Sequence, residues 1–482
     1  MSYRFTVRGG PEINVKKPLL RALVGAWSLV LLCSGAWAWQ TNINGTNTSA
    51  VDTARAVAVD GEGNVVAAGY TTNTGTNTDF TVVKFDGVRG KQLWHQVING
   101  TANSIDGAVA VIMDGVGNVL AAGFTFNIGT FAAFTVIKFD GASGEELWRQ
   151  EIDGTFSSPF QHDEAHALTA DSVGDVVAAG FTTNSLNSND FTVIKFDGVS
   201  GEELWRQLIS STAAFSFNRA NAVTVDASGD VVAAGVTRND STGLVGFTVV
   251  KFDGSRGEEL WRQIIAGIGV ANAVAVDAKG DVVAAGFTQN TGTDFDFTVI
   301  KFDGLSGEQL WRQVIDGTAN DSDEAFAVAT DAVGDVVAAG ITNRMEFCPY
   351  PFFCFDLSDF TVVKFSGADG TELWRRVIKG TATDSFDVAR AVTVDGEGNV
   401  VAAGWTTNTG TGRDFTVIKF DGVSGEELWR QEINGTANGP DSALPVTVDG
   451  AGNVVAAGST FNSGTGYDFT VIKLRGEDGG DF

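Results

Sequence analysis

A near-identical segment recurs eight times along this 482-residue chain, and this repetition constrains the fold more than any other feature. The copy at residues 56–69 reads AVAVDGEGNVVAAG, and the copies at 222–235 and 391–404 keep most of it. The glycines that close the copies are Gly69, Gly123, Gly180, Gly235, Gly286, Gly340, Gly404 and Gly458. Their spacing of 51 to 64 residues predicts eight copies of one supersecondary unit.

Each copy contains four short stretches that are typical of β-strands. They read Ala-Val-x-Val, Val-Val-Ala-Ala-Gly, Phe-Thr-Val-Ile-Lys-Phe and Leu-Trp-Arg-Gln-x-Ile, and they are rich in β-branched and aromatic residues. Asp-x-x-Gly-Asn/Asp joins the first two stretches and Asp-Gly-x-x-Gly joins the last two, which are tight-turn sequences. Four antiparallel strands per unit predict one β-propeller blade, so we expect an all-β, eight-bladed β-propeller.

The tryptophan of the fourth strand indicates how the ring closes. The last copy ends before any Leu-Trp, whereas Trp39-Gln-Thr-Asn-Ile-Asn-Gly-Thr resembles the fourth strand that begins near Trp429. We therefore predict that the Trp39 strand completes the last blade beside residues 469–474, which leaves no open end. The eight tryptophans are Trp39, Trp94, Trp148, Trp205, Trp261, Trp311, Trp374 and Trp429.

We assign these tryptophans a structural role. An indole buries about 150–250 Å², and at about 25 cal/mol per Å² this contributes on the order of 4–6 kcal/mol as an upper bound. A tryptophan floor for a cofactor is the functional alternative, and it would apply to one of eight equivalent positions.

The spacing Asp86…Gly90…Trp94 resembles the tryptophan-docking motif of quinoprotein-type, or PQQ-like, propeller repeats. The same spacing recurs in the later copies, up to the one with Asp421, Gly425 and Trp429. One copy has Ser366 in place of the aspartate. The units are also similar to short repeats of secreted bacterial propellers. Eight blades is the usual number in the PQQ-like family, so the resemblance implies the same architecture. One departure is the lysine at positions such as 84, where the motif has a small residue.

In quinoprotein dehydrogenases, PQQ lies on a tryptophan near Ca²⁺, and many members place a disulfide of adjacent cysteines over it. This chain has no adjacent cysteine pair, and its blades are too short and uniform for an active-site insertion. We therefore predict no catalytic residues, no cofactor and no enzyme activity. A PQQ-dependent dehydrogenase and a purely structural cell-surface repeat protein stay open as alternatives.

Residues 1–38 are predicted to be a signal peptide. Five basic residues up to Arg21 precede an apolar run at 22–33, and Ala36-Trp37-Ala38 follows as a cleavage pattern. Cleavage after Ala38 would leave residues 39–482 as a single propeller domain without a membrane span, secreted, periplasmic or at the cell surface. Retention as an anchor is the alternative, for which the run is short.

Composition narrows the class of partner. The chain has 32 Lys and Arg against 59 Asp and Glu, a net charge of −27, which repels nucleic acid. We expect a monomeric, non-enzymatic scaffold that binds a protein or carbohydrate ligand. Connections between strands two and three, and between blades, differ among the copies and emerge on the same face, where binding is expected. The chance divergence of unselected loops is the alternative explanation.

Several residues on these variable loops carry functional groups. The candidate binding residues are Asp163, His162, His166, Arg219, Asp323, Arg344, Tyr350, Phe352, Phe353 and Arg413. The insertion at 344–356 concentrates aromatic residues, and in an exported protein Cys348 and Cys354 are expected to form a disulfide. His162 and His166 have an i, i+4 spacing, but the segment reads as a loop and no metal site is predicted. Acidic clusters at 321–324 and 384–387 leave Ca²⁺ as an alternative to solvated charge.

Overall fold

The part of the chain that the structure describes consists of β-strands and the turns and loops that join them, as the repeated strand and turn sequences predict. The computed structural model describes residues 38–47, 50–156, 162–185, 188–212, 216–292, 294–318, 321–350 and 353–480, with the backbone alone at 185, 345–350 and 353–356. These residues form 33 strands and no helix. The predicted signal peptide therefore lies outside them, apart from Ala38. None of them belongs to a helix that could span a bilayer.

The strands follow one another in a four-strand rhythm after a short N-terminal pair. In chain order they are β1 (Trp39–Ile43), β2 (Ala50–Val51), β3 (Thr53–Val59), β4 (Val65–Asn73), β5 (Asn77–Phe85), β6 (Gln92–Ile98), β7 (Gly107–Met113), β8 (Val119–Asn127), β9 (Phe131–Phe139), β10 (Glu146–Ile152), β11 (Glu164–Ala170), β12 (Val176–Ser185), β13 (Ser188–Phe196), β14 (Glu203–Ile209), β15 (Arg219–Val225), β16 (Val231–Arg238), β17 (Val245–Phe252), β18 (Glu259–Ile265), β19 (Gly269–Val276), β20 (Val282–Gln289), β21 (Phe295–Phe302), β22 (Gln309–Ile315), β23 (Glu324–Thr330), β24 (Val336–Tyr350), β25 (Phe353–Phe365), β26 (Glu372–Ile378), β27 (Val388–Val394), β28 (Val400–Asn408), β29 (Gly412–Phe420), β30 (Glu427–Ile433), β31 (Ser442–Val448), β32 (Val454–Asn462) and β33 (Gly466–Leu474).

The eight-bladed propeller is confirmed. Blades 1 to 7 are the antiparallel sheets β3–β6, β7–β10, β11–β14, β15–β18, β19–β22, β23–β26 and β27–β30. Blade 8 consists of β31, β32, β33 and the N-terminal β1. Trp39 pairs with Lys473 in the register that Trp94 and Lys84 have in blade 1, so the predicted closure is also confirmed. The short β2 adds a parallel bridge to β33, which the four-strand pattern did not predict.

The apolar core lies between blades rather than in one central layer. The first strand of each blade contacts the first strands of both neighbouring blades, so these strands form the inner ring and the fourth strands lie outside. Between blades 8 and 1, Trp39, Val65, Phe85 and Val471 belong to one buried cluster, and equivalent clusters fill the other seven spaces. Each second strand begins with five apolar residues, such as 65–69, which are buried because neighbouring blades cover both faces of the sheet.

Strand direction divides the molecule into two faces. The turns between the first and second strands, and between the third and fourth, lie on what we call the turn face. The hairpins between the second and third strands, and the connections between blades, lie on the opposite loop face. Every first strand therefore begins at the loop face and ends at the turn face.

A repeated contact on the turn face joins each blade to the next. The indole Nε1 of Trp94 and the ammonium of Lys84 both donate to the carbonyl oxygen of Gly141 in blade 2, at 3.1 and 2.9 Å. The ring of Trp94 also lies against Gly144, where φ is +76° and a Cβ would lie 2.7 Å from the indole. The glycine of each Asp…Gly…Trp motif thus receives the tryptophan of the preceding blade, not its own. The carbonyls that accept both donors are Gly87, Gly141, Gly198, Gly254, Gly304, Gly367, Gly422 and Gly476.

The same lysine forms a buried ion pair with the aspartate of the first turn in its own blade. Lys138 lies 2.8 Å from Asp114, and we call this ion pair together with the shared carbonyl the latch. Burial by itself would raise the pKa of Asp114, but hydrogen bonds from Lys138 and Asn118 hold that pKa below its ordinary value. The eight pairs are Lys84–Asp60, Lys138–Asp114, Lys195–Asp171, Lys251–Asp226, Lys301–Asp277, Lys364–Asp331, Lys419–Asp395 and Lys473–Asp449. The lysine that departs from the docking motif is therefore part of the blade-to-blade contact.

Candidate functional site

On the loop face, a buried aspartate fixes most of the blade connections. Asp106 precedes β7, and its carboxylate accepts backbone N–H groups from Gly100 at 2.7 Å and Phe126 at 2.6 Å. Burial raises the pKa of Asp106 to about 6 although both N–H bonds lower it. The equivalent aspartates are Asp52, Asp106, Asp163, Asp323, Asp387 and Asp441.

Two candidate binding residues, Asp163 and Asp323, occupy this position and have no exposed surface. Asp163 accepts the backbone N–H groups of Gly154 and Thr183. Asp323 accepts those of Gly317 and Asn343, and burial raises its pKa to about 7. Both aspartates are therefore buried under the loop face, where they hold the backbone of their connections in place.

The two candidate histidines flank one carboxylate at the start of blade 3. Glu164 Oε2 lies 3.0 Å from His162 Nε2 and 3.7 Å from His166 Nε2. Burial by itself would raise the pKa of Glu164, but the two histidines lower it to about 2. The ring of Phe181 contacts both imidazoles, with centroid distances of 5.8 and 5.4 Å. The two imidazoles thus flank one carboxylate and lie against the same aromatic ring.

Arg219 begins β15 in blade 4 and lies near this cluster. Its guanidinium is stacked over Phe217 at 5.0 Å. Burial lowers the pKa of Arg219, while the charges of Glu164 and Glu324 raise it. The structure thus brings His162, His166 and Arg219 together around the charge of Glu164.

The other candidates lie further from the axis. Arg344 donates to Ser385 Oγ at 2.6 Å and lies 3.4 Å from Asp359, so it joins blades 6 and 7. Arg413 stacks over Phe386 and Trp405, at 5.5 and 5.6 Å.

The insertion in blade 6 extends two paired strands, β24 and β25. Their backbones pair from Val336 and Phe365 out to Tyr350 and Phe353. Phe352 lies outside the described residues, as do the side chains of Tyr350, Phe353, Cys348 and Cys354. The expected disulfide and aromatic platform therefore stay predictions.

Sequence reasoning named only His166 and Arg219 among the residues that surround the axis at the loop face. Three positions of the repeat lie there: the first and third residues of the first strand, and the residue after the glycine of the second strand. The first strand has a register shift around its third residue, which leaves that residue unpaired beside the axis. We call these residues the collar. A comparison of the eight copies at each position would have found it, because the flanking residues are nearly constant.

The collar combines aromatic rings with basic and acidic groups. After the glycine of the second strand stand Tyr70, Phe124, Phe181, Val236, Phe287, Ile341, Trp405 and Ser459. The third residues of the first strands include Arg55, His166, Asn221, Phe326 and Arg390, and Asn272, the fourth residue of β19, occupies the same unpaired position. Arg55 stacks over Tyr70 at 5.3 Å and Arg390 over Phe326 at 4.3 Å. The collar is thus chemically varied on a scaffold whose backbone repeats.

One acidic group of residues has the spacing of a metal site. Carboxylate oxygens of Asp296, Asp316 and Asp323 lie within 4.8 Å of one another in the connection between blades 5 and 6. Within the described ranges this is the one grouping of three or more His, Cys, Asp or Glu ligand atoms at that spacing. It lies at the connection between blades 5 and 6, and its Asp323 directly precedes Glu324, the first residue of β23.

The model of a family described as outer membrane protein assembly factor BamB matches residues 78–283, 192–348 and 358–479. No curated protein matches the chain. Among solved structures, quinohemoprotein alcohol dehydrogenase ADHIIG from Pseudomonas putida HK5 is 13% identical, with a TM-score of 0.54 over 91% of this chain and 76% of that one. Sqt1 from Saccharomyces cerevisiae is 10% identical, with a TM-score of 0.52 over 91% and 99%.

A third solved structure, the Dos1 propeller, is 12% identical, with a TM-score of 0.51 over 92% of this chain and 96% of that one. At such low identities these three likenesses show the fold alone.

Proposed function

Because the chain belongs to the PQQ-like propeller family described as outer membrane protein assembly factor BamB, we propose that it is an exported, non-enzymatic scaffold that binds a protein partner through its loop face. The family description favours a place in the cell envelope. The signal-like N-terminus supports the same location, and the N-terminal residue of the exported form tests it: we expect Trp39.

The observation that carries this proposal is the difference between the two faces. On the turn face, the eight blades repeat the latch with the same residue types. At the collar and the surrounding connections, the blades differ in charge, size and aromaticity while the buried aspartates fix most of the connections. Rigid scaffolds with varied loops are the usual setting for a binding surface.

A dehydrogenase would need a cofactor site on the axis. In the described residues, the one grouping of three acidic ligand atoms at metal-site spacing lies at the connection between blades 5 and 6, which supports an interpretation without a cofactor on the axis. The axis instead carries Glu324, Phe326 and Arg390, which contact or influence one another. We therefore derive no redox step for this chain.

Carbohydrate is the second class of partner that the sequence left open. Sugars stack on open aromatic faces, but in the collar Tyr70 lies beneath Arg55, Phe326 beneath Arg390, and Phe181 beside His162. The rings of Tyr70 and Phe326 support guanidinium groups, which favours a protein partner with polar and acidic side chains.

The test is crosslinked capture from cell-envelope extracts with the full chain and two matched variants. Phe217→Ser changes an exposed loop-face residue (49% exposed), and Val199→Ser changes an exposed turn-face residue (90% exposed). We expect a partner that Phe217→Ser captures several-fold less and Val199→Ser captures as well as the natural chain. Equal loss in both variants, binding on a glycan array without a protein partner, or turnover of an alcohol after addition of PQQ and Ca²⁺ would overturn the proposal.

A further inference from the structure

Three aspartates converge at the connection between blades 5 and 6. Asp296 lies on β21 and Asp323 directly precedes β23, and both are buried, with exposures of 1% and 0%. Asp316 follows β22 and is exposed, so the group is open to solvent at one point. The three carboxylates have oxygens within 4.8 Å of one another. Within the described ranges neither Asp316 nor Asp323 forms an ion pair with a lysine or arginine, so these two carboxylates have no counter-charge there.

Where another copy of the repeat keeps the aspartate of the third strand, a hydrogen-bond donor stands in the place of Asp316. In blade 6 this donor is Lys379, whose Nζ lies 3.4 Å from Asp359 on the third strand. In blade 8 it is Asn44, whose amide donates to Asp468 Oδ1 at 2.6 Å. The donors of the five copies are Asn44, Asn99, Ser210, Lys379 and Asn434. Blade 5 instead has an acceptor beside acceptors, so a bound cation would take the part that the Lys379 ammonium has in blade 6.

A buried amide oxygen in the same connection has no hydrogen-bond partner within the described ranges. Asn343 is 7% exposed, and its backbone N–H donates to Asp323 Oδ1 at 2.5 Å. Its Nδ2 donates to the carbonyl oxygen of Ser322 at 2.5 Å, whereas its Oδ1 accepts no bond. In three other copies a threonine hydroxyl makes the equivalent bond to a carbonyl: Thr72, Thr183 and Thr407. That bond does not need an amide, so the oxygen of Asn343 is left over in the connection that the three carboxylates share.

One basic residue reaches this group through an amide. Arg312 on β22 donates from its Nη2 to Thr288 Oγ1 at 2.7 Å and to Asn290 Oδ1 at 3.2 Å. Asn290 Nδ2 in turn donates to Asp296 Oδ2 at 2.7 Å. The guanidinium thus lies near one of the three carboxylates and leaves Asp316 and Asp323 to be neutralised by something else.

We propose that Asp296, Asp316 and Asp323 bind one Ca²⁺ ion, with the Asn343 amide oxygen as a fourth ligand. Carboxylate and amide oxygens are the ligands that Ca²⁺ takes, at about 2.3–2.6 Å, so two ligands of one ion lie at most about 5 Å apart. The three carboxylates meet this condition, since their oxygens are within 4.8 Å. The four side chains offer neither the nitrogen nor the sulfur ligands that zinc and copper prefer. This site is independent of the proposed function, because it needs no partner.

The ion would join blades 5 and 6 on the face opposite the latch. Asp296 belongs to the third strand of blade 5, and Asp323 leads directly into Glu324, the first residue of β23. The backbone links the same two places, since Asp323 N donates to the carbonyl oxygen of Phe295 at 2.6 Å. An ion that binds the folded chain and not the unfolded chain stabilises the fold by mass action. We therefore expect the unfolding temperature to rise with the concentration of Ca²⁺.

The test is isothermal titration of the full chain with CaCl₂ after treatment with EDTA and dialysis. We expect one site with a Kd on the order of 0.1–1 mM, the range of extracellular calcium modules. Asp316→Asn, which restores the amide of three other copies, should weaken binding about tenfold or more. Asp153→Asn is the matched control and should leave binding unchanged. It lies in the same sequence, Ile-Asp-Gly-Thr, but Ala133 replaces the strand aspartate in that blade.

Two further variants separate the ion from the fold. Asp316→Lys imitates blade 6, so it should abolish Ca²⁺ binding and raise the unfolding temperature measured in EDTA above that of the natural chain. Asn343→Thr keeps a donor for Ser322 and removes the amide oxygen, so it should weaken binding by a smaller factor than Asp316→Asn. Circular dichroism of each variant shows whether the propeller is intact.

Any of four results contradicts the calcium site: no binding of Ca²⁺, binding that Asp316→Asn leaves unchanged, equal weakening by Asp153→Asn, or binding of Mg²⁺ at the same strength. The last result would indicate an unselective acidic surface. Ca²⁺ would compete with protons for Asp323, so the pH dependence of stability is measured in EDTA.

Discussion

The two faces of the propeller use the same residue type in opposite electrostatic settings. On the turn face, Asp114 and its counterparts are paired with a lysine, and the pKa of Asp114 lies below its ordinary value. On the loop face, Asp323 accepts the backbone N–H groups of Gly317 and Asn343 and has no lysine or arginine partner among the described residues, and burial raises its pKa to about 7. Both carboxylates are buried, so the difference comes from the full counter-charge that lysine supplies and that N–H dipoles do not.

This contrast indicates that the buried aspartates of the two faces have different structural roles. A paired charge that also reaches the next blade adds to the blade-to-blade contact, and all eight blades keep it. The loop-face aspartate holds its own connection in place, and blade 4 replaces it with Asn218, which accepts the N–H of Arg238. The turn face is therefore nearly invariant, and the loop face tolerates exchange.

The largest effect is expected from removing the strand that closes the turn-face ring. Deletion of residues 39–43 removes β1 and the Trp39 indole, and should destabilise the chain by more than the about 3–5 kcal/mol of a buried Trp→Ala change. Trp39→Ala and Trp94→Ala should each lower the free energy of unfolding by about 3–5 kcal/mol. The two losses should be similar, because each indole donates to the equivalent glycine carbonyl of the next blade. Urea unfolding followed by tryptophan fluorescence measures all three. A much smaller cost for Trp39→Ala would show that the ring does not depend on β1.

A smaller effect on stability is expected from changes to the buried ion pair of the turn face, and it should depend on whether one partner or both are replaced. Lys138 and Asp114 have side-chain exposures of 7% and 4% and lie 2.8 Å apart. Asp114→Ala leaves the buried ammonium of Lys138 without a carboxylate partner among the described residues and should cost about 3–5 kcal/mol, whereas Lys138→Met with Asp114→Leu should cost far less. The measurement is the urea midpoint of the two variants. Equal losses would mean that the pair acts through its shape and hydrogen bonds rather than its charge.

The smallest expected effect is a pH dependence that arises on the loop face. The folded-state pKa of Asp323 lies above its unfolded value of 3.8, so folding stability should fall as pH rises from about 4 to about 7. Asp323→Asn should flatten this decline by on the order of 1 kcal/mol while lowering stability at pH 4.5. Denaturation at pH 4.5 and 7.5 compares the two chains. The pKa of a latch aspartate such as Asp114 is lowered, so the stability that this aspartate contributes is lost only below about pH 4, which is outside this window. An unchanged slope in Asp323→Asn would contradict the assignment.

Much of the fold was predictable because the same strand and turn sequences occur in eight copies of the repeat. Strand count, turn positions and the pairing of Trp39 with the last blade follow from local patterns and from one missing Leu-Trp. The latch was not predictable, since Lys84 and Gly141 belong to different blades and the lysine looked like a departure from a motif. The parallel bridge of β2 was missed for the same reason, as its partner Gly466 lies far away in sequence.

The candidate site was predicted only in outline. The variable connections lie on one face as predicted, and His162, His166 and Arg219 lie near Glu164, while binding at this face stays a prediction. Arg55 and Arg390 were missed because they stand inside a strand pattern that otherwise reads as scaffold. Their unpaired position beside the axis depends on the register shift of the first strand, which strand propensity does not reveal.

The sequence by itself determined the blade, the number of blades and the strand that closes the ring, because these depend on local periodicity and turn chemistry repeated at a regular interval. The tertiary structure alone decided which buried carboxylates meet a lysine, which arginines face the axis and which aspartates lie hidden beneath the loops. Those outcomes depend on contacts between blades and on the enclosure of charge, and neither quantity is a property of any single repeat.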